Sequence, residues 1–317
     1  MSNELVLVDP GYITAPPPPE SLPSNWNGVQ HLWTGWDGSV WDLTNPNRGA
    51  FIIAGGLEGM GMPDIVNYWT DSPVVHGKQW QGWIAAGRKV YWQVGLFHDE
   101  SSEAWVRRDR AFWRTFRPGT VGTWTIVLPI TGERLHMRLR FVTDGGHKQT
   151  VDPAFAAWDV YGIELEPELP FWEGDKFGGD WGVSTQQDFV PAGTLGPPFY
   201  ISEASDVSTA TLTNPGDVET SLKWTVVGPA GVGTAFGLEG QQTVLPFALN
   251  LGQTLVVDTD PRNLIAERNG VDVMPLLASS FRYPQLPPGE DITLAITMNG
   301  AGRIYAEGIP YYLRGHG

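Results

Sequence analysis

The chain has no cysteine among its 317 residues. No disulfide framework and no thiolate metal site can hold it together, so its core rests on apolar packing. A cysteine-free chain of this size also suits assembly in a reducing, intracellular setting. Cations are scarce as well: 20 Lys and Arg stand against 35 Asp and Glu, a net charge of −15. Non-specific nucleic-acid binding needs many cations to neutralise phosphates, and attraction to an anionic membrane needs a basic patch. Both are therefore disfavoured. Long apolar runs are missing too. Stretches such as Phe51 to Leu57 are short and broken by glycine, whereas a membrane helix needs about 20 residues. The opening MSNELVLVDPGY has neither a basic nor an apolar segment, so no signal peptide is expected. No membrane insertion is expected either.

Chemistry-bearing patterns are equally sparse. There is no Gly-x-Ser-x-Gly, no His-Glu-x-x-His and no calcium-loop spacing, and the six histidines stand apart at 31, 76, 98, 136, 147 and 316. The run Gly55 to Gly61 is followed by Met62-Pro63-Asp64, without the Lys of a phosphate loop, and is expected to be a loop. Gly228 to Gly233 has the wrong spacing for a dinucleotide fingerprint and is expected to turn. His98-Asp99-Glu100 could form an acid–base cluster, but an Asp or Ser cap at a helix start explains it more simply. Asp258-Thr259-Asp260-Pro261 could ligate a divalent cation, but Pro261 after Leu255-Val256-Val257 marks a strand end turning. Trp26, Trp33, Trp36 and Trp41 could stack on sugars, although alternating tryptophans in a β domain are more often core or subunit-interface residues. A glycosidase carboxylate pair leaves no mark in sequence, and nothing singles one out. The expectation is therefore no catalytic residue, no metal and no cofactor.

What is present is tryptophan, glycine and proline: 15, 39 and 26 residues. Every tryptophan but Trp224 lies at or before Trp181. Together with the length, this divides the chain in two. The expected organisation is an N-terminal arm over 1–28 carrying Pro16 to Pro19, a first domain over 29–175, a Gly- and Pro-rich linker over 176–198 and a second domain over 199–317. The fold class is mainly β with one helix. Trp105, Phe112 and Phe116 recur at helical spacing over 101–116, and Arg117-Pro118-Gly119 ends that helix. First-domain strands are expected near 29–43, 50–54, 80–97, 122–130, 134–142 and 158–166.

Two of these strands carry opposite charge. Leu135, Met137, Leu139 and Phe141 alternate with Arg134, His136, Arg138 and Arg140, while Glu164 and Glu166 alternate with Ile163 and Leu165. Either the two are neighbours in one sheet, or Arg134, Arg138, Arg140, Glu164 and Glu166 pair between subunits. In the second domain, Leu222, Trp224 and Val226 alternate, as do Phe247, Leu249 and Leu251, and Ile292, Leu294, Ile296 and Met298. Asn299-Gly300 is expected to turn the last of these into a hairpin with Arg303 to Ala306. An antiparallel β-sandwich follows.

The order and spacing of several segments resemble the distal tail proteins of long-tailed bacteriophages, especially minor tail proteins of actinobacterial phages. The segments are GGLEGMGMP from Gly55, Tyr68 to Pro73, Arg108 to Trp113, PGTVGTWT from Pro118 and Pro170 to Gly174. In the second half they are Asn214 to Asp217, Val257 to Pro261, Leu286 to Gly289, Asn299 to Gly302 and Ile309 to Tyr312. The resemblance implies a hexameric ring made by the N-terminal domain, with a galectin-like C-terminal β-sandwich. It implies tail tube protein and other tail-tip or baseplate proteins as partners, and DNA passing through without specific binding. Its place would be the distal end of the virion tail, after assembly in the host cytoplasm. The alternative is a carbohydrate-binding, receptor-recognition module of the tail tip. An enzyme such as a cell-wall glycosidase is the least supported reading.

Overall fold

In the computed structural model, residues 28–98, 100–129, 131–149, 151–182 and 210–316 are described. The expected N-terminal arm lies outside them apart from Gly28. The chain divides into one unit of residues 1–173 with 313–317 and a second of residues 174–312.

In the first unit the strands are β1 (Gln30–Thr34), β2 (Val40–Asp42), β3 (Ala50–Glu58), β4 (Asp64–Ser72), β5 (Val75–Gly87) and β6 (Val90–Phe97). Helix α1 (Ser102–Arg114) follows, then β7 (Gly122–Val127), β8 (Arg134–Thr143), the turn of helix α2 (Pro153–Ala156), β9 (Trp158–Pro167) and β10 (Trp172–Glu173). Seven strands make one antiparallel sheet in the order β2-β1-β7-β8-β9-β6-β3, with β10 beside β8. Ser101 caps α1 by accepting the Ala104 N–H at 3.1 Å, so Ser101 answers the expected Asp-or-Ser cap. The helix lays Trp105, Phe112 and nearby Phe116 on the sheet. Beneath it the tryptophans pack edge to face: Trp33 on Trp92 at 5.4 Å, Trp92 on Trp124 at 5.2 Å, Trp124 on Trp172 at 4.7 Å. Edge-on packing sets the positive rim of one ring against the negative face of the next. The Trp33 Nε1–H reaches Thr115 Oγ1 at 2.8 Å.

Two first-unit expectations need correction. The glycine run from Gly55 does not make a loop throughout, because β3 continues through it to Glu58 with a register shift between Ile52 and Leu57. The single strand expected over 80–97 is two strands, because the chain turns between Gly87 and Val90, and among the described residues β5 pairs with β4 alone.

The second unit contains β11 (Phe177–Gly182), β12 (Thr211–Thr213), β13 (Thr220–Val227), β14 (Ala235–Leu238), β15 (Gln241–Val244), β16 (Thr254–Asp258), β17 (Ile265–Arg268) and β18 (Val271–Asp272). Helix α3 (Met274–Leu277), β19 (Gln285–Leu286), β20 (Asp291–Thr293), β21 (Arg303–Gly308) and β22 (Tyr311–Tyr312) complete it. One sheet runs β11-β21-β13-β16-β17-β18, and the paired strands β12-β20 and β14-β15 face it. The bridges Ala235↔Thr297 and Leu238↔Leu294 join those pairs into a second layer. Leu222, Trp224, Val226, Phe236, Leu255, Val257, Leu294 and Ile304 fill the space between.

Here too the structure corrects the sequence. Residues 177–182, expected in a linker, form β11 and pair with β21 along its whole length; residues 183–198 lie outside the described residues. The last residues, 313–317, belong to the first unit, so the second domain does not run to the C-terminus. Phe247 to Leu251 forms no strand and Leu251 is exposed; only Leu249 bridges Ala230. Asn299-Gly300 does not close a hairpin. It carries the chain from β20, which pairs with β12, to β21 in the other sheet. Gly300 sits at φ +131, where a Cβ would meet the Pro229 carbonyl at 2.6 Å.

Candidate functional site

Among the described residues, one element of the first unit stands apart from the main sheet. Strands β4 and β5 form a two-stranded ribbon outside the main sheet, yet they are rich in large apolar residues. The pairings Asn67↔Trp83 and Trp69↔Trp80 place Ile65, Trp69, Trp80 and Trp83 on one face. Val66, Tyr68 and Ile84 share the other. Trp80 Nε1 donates to Asn67 Oδ1 at 3.1 Å, which fixes that indole across the ribbon. Trp69 and Trp80 are 54% and 52% exposed. Scattered surface hydrophobics are ordinary, but a contiguous set of this kind marks a contact surface.

The root of the ribbon is anchored by Arg88, which is buried. Its guanidinium donates to the carbonyls of Pro170, Gly59, Gly61 and Leu313. Burial lowers its pKa to about 10, so it remains charged at neutral pH. A planar fork of donors that gathers carbonyls from three chain segments suits arginine and not lysine. The sequence gives no sign of this, because Arg88 sits in no motif.

A second cluster binds the loop before α2. His147 Nε2 lies 3.0 Å from Asp159 Oδ2, the His147 and Tyr161 rings are 4.8 Å apart, and Tyr161 O–H donates to Asp109 Oδ1 at 2.7 Å. Burial raises the Asp109 pKa, while the Tyr161 bond opposes that rise. Burial, then the Asp109 contact, raises the Tyr161 pKa. These groups join α1, β9 and the loop.

The charged residues singled out in the sequence fall on strands that are neighbours within one chain. Arg140 stands opposite Glu166 across β8 and β9 and donates to Glu168 and to the Gly119 carbonyl. Arg138 meets Glu173 at 3.3 Å, and Glu164 meets Lys89 at 3.5 Å. Arg134 and Glu166 are exposed and make no ion pair among the described residues. His98 is engaged locally, with Nδ1 accepting the Glu100 N–H at 3.2 Å. Asp258 accepts the Asp260 N–H at 3.0 Å, Asp260 is held by Arg262, and Thr259 is buried against Leu222, which together form a turn. Among the proposed sugar-stacking residues, Trp33 is core, Trp41 packs edge-on against Phe112, and the Arg117 guanidinium lies over Trp36. Trp26 lies outside the described residues.

The second unit holds an open groove of about 550 Å³ on the outer face of its larger sheet, lined by Lys176, Asp180, Lys223, Thr225, Tyr305 and Glu307 among others. Lys176 pairs with Glu307 at 3.1 Å, and Asp180 pairs with Arg303 at 2.9 Å.

No family model and no curated protein matches the chain. Among solved structures it is similar to the Dit (gp 19.1) protein of SPP1, described as a paradigm of the hub adsorption apparatus in phages infecting Gram-positive bacteria. The likeness covers 90% of this chain and 100% of that one, with 14% identity and a TM-score of 0.59. It is also similar to a chain of the phage P2 baseplate in its activated conformation with Ca, at 12% identity and a TM-score of 0.48 over 88% of this chain and 98% of that one.

Proposed function

We propose that this chain is a structural protein of a phage tail tip, a distal hub and not an enzyme. Six copies close a ring at the end of the tail tube and hold the tip proteins, and DNA passes through without specific binding. The observation that carries this reading is the tryptophan ribbon, a large apolar surface built on a chain whose net charge of −15 disfavours chance association. The likeness to the SPP1 hub protein, whose entire length this chain covers, supports the same reading. The order of the sequence segments supports a long-tailed phage of actinobacterial hosts, assembled in the host cytoplasm. Of the charged set, Arg134 and Glu166 are available to a neighbouring copy. Arg138, Arg140 and Glu164 serve mainly to hold their own sheet. Native mass spectrometry at high protein concentration, with tail tube protein added, tests this. A closed six-copy species is expected, and a trimer or any other closed count overturns the hexameric hub.

The groove with Tyr305 among alternating charges favours a second role, recognition of a cell-surface saccharide by the second unit. An aromatic face with polar side chains around it can stack on a sugar ring and bond its hydroxyls. Titration with oligosaccharides from host cell wall, followed by amide shifts, tests this. Shifts confined to β11, β13 and β21 support it, and their absence removes it.

A further inference from the structure

The proposed ring needs a surface to receive the ribbon, and the first unit carries one. Between β8 and β9, Val151, Phe155 and Trp158 are exposed within eight residues of chain, Phe155 to 87%. The segment that carries them is held in place. Asp152 caps α2 by accepting the Ala154 N–H at 3.0 Å, Pro153 is buried at its start, and Ala157 ends it at φ 63. His98 N–H donates to the Ala157 carbonyl at 2.9 Å, and His147 pins the preceding loop to Asp159. The result is an apolar knob that needs little ordering when it is covered, which lowers the cost of binding.

Ribbon and knob lie at opposite ends of one strand pair. The ribbon leaves the sheet where β6 begins, at Val90 opposite Leu165, and the knob sits where β6 ends, at Phe97 opposite Trp158. The strand's eight residues set the ends roughly 24 Å apart. A chain with complementary apolar surfaces at two different places makes a head-to-tail contact, which either closes into a ring or runs on as a filament. From these positions we infer that the ribbon of one copy, through Trp69, Trp80 and Trp83, docks on the Val151–Phe155–Trp158 knob of the next. This rests on the hub reading above.

The occupant is a second copy because the same chain carries both halves of the contact. The nine residues of β4 extend roughly 30 Å, so one face of a two-stranded ribbon about 10 Å wide offers roughly 300 Å². That is less than half of the about 800 Å² per partner of a standard interface, so the ribbon–knob contact is one part of the surface that neighbouring copies bury. Charge opposes self-association, since copies that each carry −15 repel, and apolar burial must offset that repulsion.

The absence of cysteine makes the test direct. Trp69→Cys, Trp80→Cys and Trp83→Cys chains are each mixed with Phe155→Cys chains and oxidised, then sized by mass spectrometry. A mixed disulfide dimer is expected for at least one ribbon position, and none with Val271→Cys as the control partner. A chain carrying both cysteines should form a ladder that ends at six. A ladder that runs on without closing supports the contact and overturns the hexameric ring. Six-copy rings in native spectra without any ribbon–knob disulfide overturn the contact and leave the ring standing. Monomers throughout, with tube protein present, overturn both. Phe155→Asp, which alters only an exposed side chain, should weaken self-association about thirty-fold without a change in melting temperature; equal association would also overturn the contact.

Discussion

Gly122 shows how a single position without a side chain permits the first core. It pairs with Leu139 at the start of β7, and a Cβ there would meet the Trp33 indole at 2.1 Å. The indole is also fixed by Thr115 and stacked on Phe116 at 5.0 Å, so it cannot give way cheaply. Gly122→Ala should cost about 1–3 kcal/mol by overpacking, measured as a lower urea midpoint at unchanged slope. His31 makes a pH prediction. Burial, then His316, lowers its pKa to about 4, against a smaller opposing effect of Asp42. Because the folded value lies below the ordinary 6.5, the unfolded chain takes up the proton first on acidification. The stabilisation is therefore complete above pH 6.5 and is lost as pH falls toward 4. A His31→Gln chain should show a flatter melting temperature between pH 7 and 4 than the parent, and an unchanged slope would contradict the assignment.

At the scale of elements, the charged strands and the ribbon behave differently. Strand β8 is stapled within one chain to the end of β9 by Arg140 with Glu168 and to β10 by Arg138 with Glu173. These contacts are exposed, and such pairs contribute roughly 0.2–1 kcal/mol each. Changing Arg138 and Arg140 together to Glu sets like charges opposite one another. The chain should melt earlier by a few degrees but assemble normally, as native mass spectrometry would report. Failure of assembly with the monomer still folded would return these residues to the subunit interface. The ribbon is the converse case, since Trp69 and Trp80 are more than half exposed and add little to the core formed by the described residues.

For the whole molecule, the path of the chain crosses its division into units. Residues 313–316 return to the first unit, where the Leu313 carbonyl accepts from Arg88 at 2.6 Å and Gly315 N–H donates to the Met60 carbonyl at 2.9 Å. Gly315 lies against Met60 and Trp172, where a Cβ would come within 3.1 Å of both side chains. Truncation after Tyr312 leaves a buried guanidinium short of an acceptor, which costs about 1–3 kcal/mol. The first unit should lose stability although the deletion lies at the end of the second. Amide hydrogen exchange would show faster opening in β3, β6 and β10 with β13 and β16 unchanged. The opposite pattern would assign the tail to the second unit.

Sequence by itself determined what depends on local period. Leu135, Met137 and Leu139 face the core because successive strand side chains alternate, and Trp224 with Leu222 and Val226 is core for the same reason. The helix over 101–116 was legible from its spacing and its stop at Arg117-Pro118, and the turn at Asp258 to Pro261 from its residue types. The tertiary structure alone decided which strands are partners. An alternating run states which residues share a face and not which strand lies beside it. So the run from Trp80 to Phe97 divides between a solvent-exposed ribbon and a central strand, and Asn299-Gly300 joins two sheets where a local rule expects a hairpin. Arg88 went unseen because its acceptors come from Gly59, Pro170 and Leu313, far apart in the chain and all backbone. The exposed ribbon was hidden for the same physical reason: tryptophans read as buried in a sequence, and only their three-dimensional surroundings show that Trp69 and Trp80 are more than half exposed.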